Sequence, residues 1–161
     1  MAYRRPAQLA VQAALLLALK PQGSVSRVRE IAATLGVPAT YLAKILHKLT
    51  RSGLLRAVRG PGGGVQLARA PRETYLWDVL SAIEPVDELG RCFLGLEGCN
   101  ALQPCPLHKF WAPIRTQILN LLQTKSLDEF AAEAESNGVL CWKSSHSDGN
   151  RLCGPGGERK P

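Results

Sequence analysis

The sequence predicts a mainly α-helical chain: a winged helix-turn-helix with a small β-hairpin wing, followed by a long C-terminal dimerisation helix. Three observations predict it. Two amphipathic helical runs lie either side of a glycine turn between Ser26 and Ser52, two short strand-like runs then flank Arg59 to Gly64, and an apolar stripe recurs at intervals of three and four between Pro106 and Lys125. The chain accordingly divides into a winged helix-turn-helix domain at 1–84, a cysteine loop with the dimerisation helix at 85–136, and a disordered tail at 137–161.

The opening run, MAYRRPAQLAVQAALLLALKPQG, has the basic start and apolar stretch of a secretory signal. Gln8 and Gln12 interrupt the stretch, no small-x-small cleavage site follows, and Leu9, Ala13, Leu16, Leu17 and Lys20 give a helical period instead. An amphipathic first helix is therefore expected, too short to span a bilayer. Without export, and with five cysteines, the compartment expected is the reducing cytoplasm, where clustered cysteines serve as metal ligands or redox sites.

Pro21 to Ser24 make a turn, and Ser26 is positioned to cap a second helix reaching Leu35, with Val28, Ile31, Ala32 and Leu35 on its inner face. Gly36 ends it. The third helix, from about Ala39 to Ser52, has a core stripe of Leu42, Ile45, Leu46 and Leu49, and an opposite face of Tyr41, Lys44, Lys48 and Arg51. A basic face is often no more than a solvated one. Here it lies on the second helix of a helix-turn-helix, the element that enters a DNA major groove, with Thr40 at the leading end.

Gly53 stops that helix. Leu54 to Val58 and Val65 to Ala68 read as strands joined by RGPGGG. The glycine run lacks the Lys-Ser/Thr and the strand-loop-helix context of a nucleotide-binding loop. It reads as a wing: Arg56 and Arg59 supply charge, and Gly62 and Gly63 let the backbone approach the sugar-phosphate rail.

A fourth helix starts at Thr74 or Tyr75, carries Leu76, Val79, Leu80 and Ile83, and ends near Glu84-Pro85. Next comes RCFLGLEGCNALQPCPLH, in which Cys92, Cys99 and Cys105 are separated by six and five residues and His108 follows Cys105 by three. Gly95, Gly98 and Pro104 keep the backbone irregular, so the sulfurs can turn toward one point. If Pro106 opens a helix, Cys105 caps it and His108 lies one turn on, while the positive helix end favours thiolates. A metal site is the reading, an iron-sulfur cluster first. Buried structural cysteines, a structural zinc and a metal-free thiol-disulfide switch stay open, although zinc sites usually include a short Cys-x2-Cys pair that is absent here.

From Pro106 to about Lys125, Trp111, Ile114, Ile118, Leu121 and Leu122 form a stripe suited to packing against a second copy, or against this chain's own core. Ser126 and Glu129 make a capping box for a last helix to about Ser136. Gly, Ser, Pro and charge dominate thereafter, and Cys141 and Cys153 are expected to be incidental.

The formal net charge of +7 gains meaning from its location. Twelve Lys/Arg against one acid give +11 before Glu73, four against ten give -6 from Glu73 to Ser136, and the tail adds +2. A polyanion-binding head on an acidic body is implied. No nucleophile, base and orienting group form a set, so an enzyme is not expected. An electron-transfer or cluster-carrier protein is the competing class.

The stretches EIAATLGVPATYLAKILHKLTRSGLLRAVRGPGGGVQLAR and WDVLSAIE, the three-cysteine loop and KSLDEF resemble the Rrf family of winged-helix regulators, the IscR and NsrR type, over roughly Leu9 to Phe130. The resemblance implies a homodimeric transcription regulator on a palindromic operator of double-stranded DNA. Each subunit would hold an iron-sulfur cluster, 2Fe-2S ahead of 4Fe-4S, and sense cluster supply, iron, nitric oxide or redox state. It places cluster ligands at Cys92, Cys99 and Cys105, with His108 matching the histidine ligand of the IscR branch. The NsrR branch uses a carboxylate from the other subunit's first helix, where this chain has Gln8, a poor iron ligand. Recognition positions fall on Thr40, Tyr41 and Lys44, and the wing arginine on Arg59. The chain departs from the family in its six-residue first cysteine gap, where relatives mostly have five, in Ala43 at an often acidic position, and in lacking the basic-aromatic opening.

Overall fold

The computed structural model describes residues 4–84, 92–97, 100 and 102–138. Helix α1 (Arg5–Ala18) opens with Pro6, whose missing N–H falls where a helix needs none. Its Ala7, Leu9, Ala10, Ala13, Ala14 and Leu16 are almost wholly buried. This helix is the axis of the core, packed against the second, third, fourth and last helices and against the second strand of the wing.

Helix α2 (Val28–Leu35) buries Ile31 and Ala32, and Val28 and Leu35 pack against the core as expected. Ser26 does not cap it. Arg27 takes the cap position, its N–H donating to Glu30, because Ser26 is already pinned one residue earlier: its N–H and C=O exchange hydrogen bonds of 2.9 Å with Val65. Gly36 ends α2 at φ +67°, a left-handed conformation that costs glycine little and other residues much.

Helix α3 (Ala39–Arg51) buries Leu42, Ile45, Leu46 and Leu49, the stripe read from the sequence. Strands β1 (Leu55–Val58) and β2 (Gly64–Leu67) pair antiparallel, with Leu55 opposite Leu67 and Val58 opposite Gly64. The Ser26 bridge adds a third backbone segment to β2 and ties the wing to the start of α2. Glycine is required at its root for want of room: a Cβ on Gly64 would collide with the Ser26 carbonyl, and one on Gly63 would stand 2.5 Å from the Val58 oxygen.

A 3-10 turn (Pro71–Glu73) leads into α4 (Leu76–Ser81), which buries Leu76, Val79 and Leu80. The helix is shorter than the sequence suggested. Tyr75 caps it with Asp78, and Ile83 and Glu84 follow as loose turns with amide bonds back to Leu80.

Helix α5 (His108–Thr124) begins two residues later than expected. Leu107 is its cap residue, Pro106 and Leu107 form a turn, and the His108 N–H donates to the Cys105 carbonyl at 2.9 Å. Pro113 lies inside α5 and removes one ladder hydrogen bond. Helix α6 (Leu127–Ser136) starts at the anticipated capping box, where the Ser126 N–H donates to Glu129 at 3.0 Å. The Leu127 N–H donates to the Thr74 carbonyl at 2.8 Å, and Leu127 itself is fully buried, so α6 closes over α1. The expected disorder of the tail, and Cys141 and Cys153, lie outside the described residues apart from the first two tail positions.

Candidate nucleic-acid interface and cysteine loop

The two faces of α3 follow from its apolar period. With four large aliphatic side chains turned into the core, Thr40, Tyr41, Lys44, Lys48 and Arg51 are exposed together. So is His47, which the sequence reading did not single out. Its signal was present: it lies three residues after Lys44 and seven after Thr40, on the same outward stripe. Arg27 and Arg29 at the start of α2 are also exposed and were likewise not singled out.

The wing carries Arg56 on β1 and Arg59 immediately before its tip, both exposed. A 2.9 Å hydrogen bond from the Gly63 N–H to the Gly60 carbonyl closes the tip turn around Pro61 and Gly62. Gly62 is exposed and a Cβ there would meet open space, whereas Gly63 is held against Val58 and Gly60. The arrangement sets a basic helix face beside a basic hairpin: α3 packs against β1, and Ser26 ties β2 to the start of α2.

The cysteine loop returns to the start of α5. Cys92 and Cys105, thirteen residues apart, bring their sulfurs to 3.5 Å, and both residues are half-buried. That separation is far beyond a disulfide bond of about 2.05 Å. It is close to the roughly 3.8 Å between two sulfurs on one tetrahedral metal with bonds of about 2.3 Å, so the pair fits a shared metal centre. Asn100 shapes the intervening chain, its side-chain oxygen accepting from the Leu102 and Gln103 amides at 2.8 and 3.0 Å. Phe93 meets Trp111 edge to face, ring centres 5.3 Å apart, which fastens the loop to α5. His108, half-buried, is the first residue of α5. Cys99 lies outside the described residues, and among those described no three His, Cys, Asp or Glu side chains gather.

The stripe on α5 divides between two duties. Leu122 is buried and Ile118 packs beside it in this chain's own core, while Trp111 is half-buried against Phe93. Ile114 and Leu121 remain 49% and 47% exposed, with Phe110 at 62%, more than an apolar side chain keeps when its helix face is covered. None of the described helices is long and apolar enough to cross a membrane.

A family model described as Rrf2, iron-dependent transcriptional regulator, matches residues 3–133. The HTH-type transcriptional regulator IscR of Xenorhabdus nematophila is 32% identical over 126 residues, spanning 78% of this chain and 76% of that protein. The IscR of Aliivibrio salmonicida is 33% identical over 130 residues, 81% of this chain and 77% of that one. Among solved structures, CymR, the global cysteine regulator of B. subtilis, superposes with a TM-score of 0.71 at 21% identity, covering 83% of this chain and 98% of its own. The IscR of T. potens gives 0.65 at 24% identity, covering 84% and 89%. These two structures share the fold.

Proposed function

The chain belongs to the Rrf2 family and is a DNA-binding transcriptional regulator, and from that premise we propose that it senses iron, cluster supply, nitric oxide or redox state through an iron-sulfur cluster. The observation that carries the proposal is the 3.5 Å approach of the Cys92 and Cys105 sulfurs at the entrance to α5. Cys92, Cys99 and Cys105 would hold the cluster, with His108 as the fourth ligand. A bound cluster supplies a centre that changes charge on oxidation and is lost when iron is scarce or reactive gases attack it.

The protein's own residues turn that event into a DNA signal. While the sulfurs are held together, Phe93 stays against Trp111 and the loop is braced on α5. Once they are released, the brace loosens and α5 resettles. The protein acts as a cytoplasmic homodimer. Ile114 and Leu121, with Trp111 beside them, meet a second copy, and Ile118 and Leu122 root the same helix in the core against α4. A change in α5 therefore alters the separation of the two α3 helices on a palindromic operator. On each half-site Thr40, Tyr41, Lys44, Lys48 and Arg51 face the major groove and its rails. Arg56, Arg59, Gly62 and Gly63 bring the wing to the neighbouring backbone and minor groove.

The test is affinity for one operator duplex measured with the cluster intact and after its removal. The coupling predicts a difference of roughly five- to 150-fold. Equal affinities in both states defeat it.

The same sulfur approach favours a second reading in which the loop works without iron. Two thiols 3.5 Å apart can close to a disulfide, giving two protons and two electrons to a small-molecule disulfide by exchange. Zinc on the same sulfurs would be the structural variant. Iron, zinc and sulfide analysis separates these outcomes.

A further inference from the structure

We propose that His47 is a specificity-determining residue that reads a purine edge in the operator's major groove. The proposal rests on the DNA-binding reading of α3 and goes beyond it, because His47 was not among the residues assigned to that interface.

Successive residues of a helix are turned by about 100°, so the direction of each side chain follows from the buried set. Leu42, Ile45, Leu46 and Leu49 define the inward pole of α3. Thr40, Lys44, His47 and Arg51 all fall within about 30° of the opposite pole. Tyr41 and Lys48 stand off to one side by about 70 to 90°, and Ala43 to the other by a similar angle. All of these residues are exposed. The side chains facing straight out are those that meet base edges when such a helix lies in a groove, and those on its flanks meet the phosphate rails.

Depth along the helix then separates the four. His47 is about 10 Å along the axis from Thr40 and Arg51 about 16 Å, against a major groove about 12 Å wide. Arg51, in the last turn, reaches the far rail, whereas His47 remains over the base pairs one turn beyond Lys44. An imidazole has one ring N–H to donate when neutral, and the exposed acceptors of a purine there are N7 and, for guanine, O6. Ala43, one turn before His47, is too short to compete for that edge. The ligand is thus a guanine or adenine presented to the second turn of α3, next to the pair read by Lys44.

The experiment uses the full-length protein and its operator, selected in vitro from a randomised duplex pool. Wild type and the His47→Ala and His47→Asn variants are compared on every single-base substitution and on a duplex carrying 7-deazapurine, which lacks N7, at each purine. The expected result is one half-site position whose 7-deaza form weakens wild type roughly tenfold and leaves His47→Ala unaffected. His47→Asn, which keeps a donor, should retain or redirect the preference at that position. Unchanged base preferences in His47→Ala overturn the proposal, whether overall affinity falls uniformly, as for a phosphate contact, or stays the same. Failure of wild type to select any sequence would overturn the DNA-binding reading itself, which the two variants leave separate. Because His47 is exposed, melting temperatures of the variants should match wild type.

Discussion

Gly64 has no room for even one more carbon, since the Ser26 carbonyl occupies the place of its Cβ. Gly64→Ala should therefore cost about 1–3 kcal/mol, read as a lower denaturation midpoint, and loosen the wing. A melting curve indistinguishable from wild type would contradict the close approach. Ser26 itself is fully buried, and its Oγ finds no hydrogen-bond partner among the described residues. Replacing it with Ala removes an unsatisfied hydroxyl while keeping the backbone bridge, so stability should hold or rise. The glycine run was legible as a hairpin loop, but the crowding at Gly64 was not, because it comes from Ser26, far earlier in the chain. The same long-range bridge explains why Ser26, a good cap by local chemistry, yields that place to Arg27. At the interface, Lys44→Ala and Arg59→Ala should each weaken operator binding by about 1–3 kcal/mol without altering the melting temperature. A fall in the salt slope of about 1 would mark whichever contact is made to phosphate.

The helices were the most legible elements, because apolar periods at three and four encode which face turns inward. The apolar period alone assigns Leu42, Ile45, Leu46 and Leu49 to the core, and Lys44, Lys48 and Arg51 to the surface. The start of α5 was less so: Pro106 satisfies the rule for a first helical residue, but the chain leaving the cysteine loop needs one further turn before regular bonding begins. The Ser126 and Glu129 box was read correctly from spacing alone. Its electrostatics are specific. A hydrogen bond from Lys125 at 2.8 Å, joined by bonds from the Ser126 backbone and hydroxyl, lowers the Glu129 carboxyl from 4.5 to about 2. A carboxyl with a depressed folded-state value stabilises the fold above its unfolded value and loses that effect as pH falls through the folded one. The contribution of the box should therefore be complete above about pH 4.5 and disappear toward pH 2. An NMR titration of the Glu129 side chain should show its midpoint near 2, and an ordinary carboxylate midpoint would contradict the capping geometry.

At the scale of the whole molecule, α5 links the candidate sensor to the DNA-binding head. Its inner residues Ile118 and Leu122 lie in the core of this chain, and Ile114 and Leu121 point out of it. A sequence stripe cannot separate those duties, since burial within a chain and burial between chains demand the same residue types. Ile114→Glu with Leu121→Glu should convert a dimer to a monomer by light scattering while preserving the melting transition, and operator affinity should fall with it. The cysteine loop was legible as a set of soft ligands able to converge, and the sulfurs of Cys92 and Cys105 stand 3.5 Å apart. What the spacing could not give is the metal, because cysteine thiolates accept iron and zinc alike. That point is tested most directly by purifying the protein without oxygen, recording its visible spectrum, and assaying iron and acid-labile sulfide per chain. The account predicts a coloured protein with about two iron and two sulfide per chain, or about four of each for the larger cluster, colour that is lost in Cys92→Ala and Cys105→Ala. A colourless protein carrying zinc or no metal, with operator binding unaffected by those two substitutions, would contradict it.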